Sequence, residues 1–242
     1  FYSPIHNREM QQFFSSISFC IRHIGYLFIL CLPVMTIEFA LAYLVTSIGI
    51  DASMSDSAAL EVLSSISSQL FILVVLSLIL SVGLSGGAMI AFKALASNNE
   101  VTPYQALYAG IKKFFPLLLG NLMHTLAYGI GFLLLVFPGF FLYARLGLFP
   151  LYIMFEDKRA LDALGESWQA TDEVGTKLFV LTSVFLGIQI IFGLMGGLAG
   201  IDSSISFLAL ATLIKYVTIM PLFYLFFSLY ASAKKNSNNS VT

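Results

Sequence analysis

The chain has 242 residues, of which 58% are hydrophobic and only 10% charged, with a net charge of -1. A water-soluble domain devotes about a quarter of its residues to charge, so this composition, with its mean hydropathy of +0.90, points to lipid as the solvent. The charge balance also excludes a nucleic-acid partner, which would need a dense basic field.

Residues 1–23 are amphipathic, not basic followed by apolar, and so lack the pattern of a cleavable leader. Asn7–Ile24 is expected to be a helix with Phe13, Phe14, Ile17, Cys20 and Ile21 on one face. Cys20 and Cys31 would lie about 16 Å apart on a continuous helix, too far to bridge, and read as small apolar residues. A first membrane span follows at Ile24–Ile48 and a second at Gln69–Phe92, joined through Gly49–Ser68. Each has the length needed to cross a hydrocarbon core, about 17–25 residues.

Pro103–Phe115 is a second amphipathic helix. Thr102 is placed to cap it, Pro103 suits its first turn, and Gln105 can reach back to the cap. Spans three and four are expected at Phe114–Val136 and Gly139–Phe155, separated by a tight turn at Phe137-Pro138-Gly139. A third amphipathic helix, Lys158–Ala170, places Leu161, Leu164 and Trp168 on one face. Such helices lie at headgroup depth, and Trp168, the only tryptophan, is the expected interfacial anchor. Leu178–Ala199 and Phe207–Ala231 complete six spans, and residues 236–242 form a polar tail expected to be disordered.

The fold class is therefore an all-α polytopic membrane protein. Six spans form three hairpins in a single domain over residues 1–235, each hairpin preceded by a cytoplasmic amphipathic helix. Ten of the 12 basic residues lie at the termini or between spans 2 and 3 and spans 4 and 5. The alternate connections hold Asp51, Asp56, Glu61 and Asp202 but no Lys or Arg. Under the positive-inside rule both termini are cytoplasmic. Gly83 and Gly87, Gly193 and Gly197, and Gly196 and Gly200 are each four apart, a spacing that lets helices approach closely in lipid.

Three ionisable groups fall well inside the spans: Glu38, Arg145 and Lys215. Counted at helical rise from the turns opposite the basic connections, they lie at depths of about 15, 10 and 12 Å. An intramembrane charge costs about 2.5–3.5 kcal/mol on insertion scales and so finds a partner or water. Two readings follow. Glu38 pairs with one of the cations and ties the hairpins together, or two cations against one carboxylate leave a site for an anionic group. Snorkelling to the surface is a third.

Catalysis is not indicated. His6, His23 and His124 show no metal-binding spacing. The acidic run Glu156, Asp157, Asp162, Glu166, Asp172 and Glu173 is interleaved with Lys158, Arg159 and Lys177, as on a solvated face. No cofactor or metal is expected, and the partners implied are membrane lipids and other inner-membrane proteins.

Within residues 138–177, the stretch PGFFLYARLGLFPLYIMFEDKRALDALGESWQAT resembles the signature of the YciC-type family of bacterial inner-membrane proteins. It is similar also to the membrane domain found beside some glycerophosphodiester phosphodiesterases. The shared features are Pro138-Gly139, Arg145, Pro150, Glu156, Ala163-Leu164 and Ser167-Trp168. The resemblance implies a six-span inner-membrane protein with no catalytic residues to carry over. The chemistry of the phosphodiesterase relatives belongs to a separate soluble domain.

Overall fold

The apolar runs are helical, as their length and composition require. A computed structural model describes residues 4–47 and 56–239, and among these there are ten α-helices and no strand. They are α1 (Pro4–Arg22), α2 (Ile24–Ser47), α3 (Asp56–Ala96), α4 (Pro103–Lys112), α5 (Phe114–Leu134), α6 (Val136–Leu146), α7 (Phe149–Glu156), α8 (Ala160–Ala170), α9 (Gly175–Ala199) and α10 (Ile205–Asn239). Six stretches are long and apolar enough to cross a membrane: 24–47, 66–96, 114–134, 136–156, 175–199 and 205–235. Their surfaces suit hydrocarbon, with Phe71, Leu133, Phe137 and Leu198 between 70% and 89% exposed.

Several boundaries differ from the sequence expectation. The connection expected at Gly49–Ser68 is helical from Asp56, while its first part lies outside the described residues. Helix α10 continues to Asn239, so most of the polar tail is helical, and 240–242 lie outside the described residues. The link between α5 and α6 is not the Pro138-Gly139 turn but the single extended residue Leu135, at φ -162° and ψ 152°. Pro138 sits in the first turn of α6, where its missing N–H leaves no bond unmade. The close return is possible because a Cβ on Gly131 would lie 2.8 Å from the Gly139 Cα, a separation only glycine permits.

The fourth span is two helices, α6 and α7. Proline at 150 has no N–H to offer the carbonyl four residues back, so the chain breaks at Gly147 and Leu148 and restarts with Pro150 in the first turn.

Helix α4 carries the expected capping box: Thr102 accepts from the Gln105 backbone and the Gln105 side chain accepts from the Thr102 backbone. Its buried face, Ala106, Leu107 and Gly110, turns toward α3. There a Cβ on Gly110 would run into the Gly83 carbonyl, and one on Gly87 would lie 2.9 Å from the Leu107 Cα. This α3–α4 crossing is thus a backbone-to-backbone contact made by glycines. Gly196 receives the ring of Phe207 from α10, whereas Gly193 and Gly197 face open space and Gly200 ends α9 in the left-handed region at φ 66°.

Candidate functional site

Basic side chains and their partners gather at one end of the bundle. Lys113, between α4 and α5, donates to the Ile153 and Met154 carbonyls at 2.9 and 3.2 Å and pairs with Asp157. Lys93 lies 4.8 Å above the Phe155 ring, and Lys234 meets Glu156 at 2.9 Å. Two more members of the acidic run are paired: Lys158 holds Glu166 at 2.9 Å and Arg159 holds Asp162 at 2.8 Å. The Glu166 carboxylate raises the pKa of Lys158, and the hydrogen bond from Arg159 lowers that of Asp162.

Arg145 does not join Glu38 and Lys215. It lies in the last turn of α6, 5% exposed, and reaches the end of α8. Its Nη2 donates to the Trp168 carbonyl at 2.9 Å and its Nη1 to the Thr171 carbonyl at 3.2 Å. It also pairs with Asp172, whose side chain is 69% exposed. The final carbonyls of a helix have no acceptor role within it, and they form the negative end of its dipole, so a guanidinium there is doubly favoured. The face of Trp168 covers the cation, 4.1 Å from ring centroid to Cζ, and the indole remains 39% exposed. Gly175, opening α9, admits the side chain: a Cβ there would lie 2.8 Å from Nη1.

Two fully buried hydroxyls repair the backbone broken between α6 and α7. Ser167 Oγ donates to the Arg145 carbonyl at 2.8 Å and accepts from the Leu148 N–H at 3.0 Å. Thr171 Oγ1 reaches the same carbonyl at 3.2 Å. In a membrane span such freed groups must be satisfied by protein. The α8 face that packs is accordingly Ala160, Ala163, Leu164 and Ser167, whereas Leu161, expected on the apolar face, is 65% exposed. The small residues are inward because the freed carbonyl needs a hydroxyl close by.

Glu38 and Lys215 do meet. Lys215 Nζ lies 2.7 Å from one carboxylate oxygen of Glu38, and Ser81 Oγ donates to the other at 3.1 Å. Helices α2, α3 and α10 are joined at this point.

Below it runs an apolar groove of about 330 Å³ walled by α1, α2, α9 and α10. Leu27, Cys31, Phe185, Tyr216 and Met220 form its buried floor. Both cysteines line it. The chain turns at His23 between α1 and α2, and the two cysteines are free and buried, as expected of small apolar residues. Burial pushes the Cys20 thiol up to about 12. Nothing in the linear pattern signalled this groove, since it depends on where α1 folds relative to α9 and α10.

His124 is buried among Tyr128, Tyr143 and Phe149, with Nε2 3.2 Å from the Tyr143 carbonyl. No family model matches the chain, and neither a curated protein nor a solved structure matches it.

Proposed function

We propose that this chain is a multi-pass protein of a bacterial inner membrane, with both termini cytoplasmic, acting as a non-enzymatic scaffold or lipid-interacting partner in envelope physiology. The observation that carries this reading is the burial of Arg145 with both terminal nitrogens bonded to the end of α8 and to Asp172, its Nε alone being left without a partner. A carrier of an anionic, lipid-like substrate would keep that cation free at a water-reachable site. Here its two terminal nitrogens fix α8 against the broken span. The separation of Arg145 from Lys215 also removes the two-cation pocket on which a transporter reading would rest. Lys215 and Glu38 form a balanced pair instead. The resemblance of residues 138–171 to YciC-type proteins agrees with this role, since their shared Arg145, Pro150 and Ser167-Trp168 are the parts of one structural joint.

The test uses the single tryptophan. In liposomes, phospholipids brominated near the top of the acyl chain are expected to quench Trp168 more strongly than aqueous iodide does. A fluorescent anionic phospholipid should cross the same liposomes no faster than it crosses protein-free ones. Protein-dependent flux would replace the scaffold reading by the transporter one.

A further inference from the structure

Helix α4 stands upright against α3 instead of lying flat on the bundle. The Tyr26 hydroxyl donates to the Val101 carbonyl at 2.9 Å, which fixes the loop before α4 level with the start of α2. From that loop α4 runs back along α3: Leu107 meets Gly87, and further on Ile111 meets Gly83. Its apolar face is thus used up on α3. The opposite face carries Tyr104, Tyr108 and Lys112, one helical turn apart and all exposed.

Length sets the height of that face. Helix α5 has 21 residues, and at helical rise it is about as long as a hydrocarbon core of about 30 Å is thick. Its exposed Phe115, Leu119, Leu122 and Leu126 recur every third or fourth residue, as on a helix facing lipid. Helix α4 joins α5 at Lys113, so it stands where the core ends. Counted outward from Phe114, Lys112 lies about 3 Å, Tyr108 about 9 Å and Tyr104 about 15 Å beyond that boundary. The headgroup layer on each side is about 5–8 Å thick. Lys112 is therefore within it, Tyr108 at its outer margin and Tyr104 in water. The Lys112 ammonium lies 4.9 Å from the centroid of the Tyr108 ring, so the side chain carries its charge away from the core and into this layer.

The charge there is left over. Lys113, Lys158, Arg159 and Lys234 each pair with a carboxylate. Among the described residues none pairs with Lys112, and an aromatic face attracts a cation without neutralising it. The surface thus reads, from outside inward, as a ring and an uncompensated cation and then a purely apolar stripe. A phospholipid has the complementary order at the same height, an anionic phosphate and then acyl chains.

We propose that Tyr108 and Lys112 form a docking surface for an anionic phospholipid, with its phosphate at Lys112 and its acyl chains along Phe115 and Leu119. The proposal rests on the lipid-interacting reading above and gives it a place on the molecule. Recognition is by charge at a fixed height, so the headgroup matters more than the chains.

The experiment labels single cysteines in the full chain, with Cys20 and Cys31 replaced by alanine, in liposomes of phosphatidylcholine and phosphatidylglycerol. Nitroxides at Tyr104→Cys, Tyr108→Cys and Phe115→Cys are exposed to oxygen, which concentrates in hydrocarbon, and to a water-soluble nickel chelate. Phe115→Cys is expected to report the edge of the hydrocarbon, Tyr108→Cys the headgroup layer and Tyr104→Cys water. A Tyr108→Cys label as open to the chelate as Tyr104→Cys overturns the proposal, and so does one shielded from both reagents, as beneath a protein partner. A fluorophore at Phe115→Cys then shows which lipid is bound. Brominated phosphatidylglycerol should be preferred over brominated phosphatidylcholine by about fivefold, the effect of one lysine near an anionic surface, and Lys112→Gln should abolish the preference. No preference in the parent, or one that survives Lys112→Gln, also overturns it. If these readings fail while brominated chains still quench Trp168, the α4 surface is wrong and the broader reading stands. Loss of the Trp168 quenching as well removes the two together.

Discussion

Two cations lie inside the apolar spans, and the chain holds them in opposite ways. Arg145 is 5% exposed and gives its donors to two carbonyls and a carboxylate beneath an indole face. The Lys215 side chain is 46% exposed, rests on Glu38, and lies 5.4 Å from the centroid of the neighbouring Tyr216 ring. The guanidinium is a rigid fork suited to several fixed acceptors, while the ammonium is a point charge on a flexible stem. Arg145 stands where one helix ends and another is interrupted, so backbone groups supply its acceptors. Lys215 stands inside an unbroken helix, whose own carbonyls are taken, and needs a carboxylate from elsewhere. The lesson is that the state of the surrounding backbone, more than depth in the membrane, decides how an intramembrane charge is kept.

The strongest way to break this comparison is to remove each charge in turn. Arg145→Leu strands the end carbonyls of α8 and uncovers Trp168. Charge-assisted bonds are worth about 1.5–3 kcal/mol each, so a loss of about 3–4 kcal/mol is expected, seen as a large drop in the thermal midpoint by circular dichroism. Lys215→Leu should cost about 1 kcal/mol, because Glu38 keeps Ser81 as a donor. Equal losses would mean that the two sites are alike.

Exchanging the cations sharpens the contrast. Arg145→Lys retains the charge but cannot span the Trp168 and Thr171 carbonyls together, and a cost of about 2 kcal/mol is expected. Lys215→Arg keeps a half-exposed cation beside Glu38 and should stay within about 0.5 kcal/mol of the parent. The same melts measure both, and a tolerated Arg145→Lys would show that charge, not the fork, matters at the joint.

These differences explain what the sequence made legible. Six spans follow from run length alone, and the Thr102–Gln105 capping box follows from four adjacent residues. Features that depend on which helix meets which were not legible in the same way. Asp172 looked like one member of a solvated acidic run, and only the fold of α8 against α6 brings it to Arg145. Ser167 entered only as part of the resemblance and Thr171 carried no signal, because the role of both hydroxyls exists only once Pro150 has interrupted the fourth span. Glu38 was expected to pair with one of the two cations, without a sign of which, and it meets Lys215. Arg145 was misplaced with them because depth was counted along an unbroken span. Among the glycines, spacing identified Gly83 and Gly87 but not Gly110, which lies on another helix and closes the same contact.

Asp172→Asn isolates what neutralises Arg145. Breaking a buried ion pair from one side costs about 3–5 kcal/mol when the remaining charge is left uncompensated. The carboxylate here is 69% exposed, and the guanidinium keeps two carbonyl acceptors and the Trp168 face without it. The second situation should dominate, giving a loss below about 1 kcal/mol and a midpoint shift of roughly 2–4 °C at most for a chain of this size. The residual effect should shrink in high salt, as it does for exposed pairs, whereas the Arg145→Leu effect should not. If Asp172→Asn instead costs as much as Arg145→Leu, the ion pair and not the helix end holds the arginine. The distinction drawn between Arg145 and Lys215 would then disappear, since each would depend on a single carboxylate.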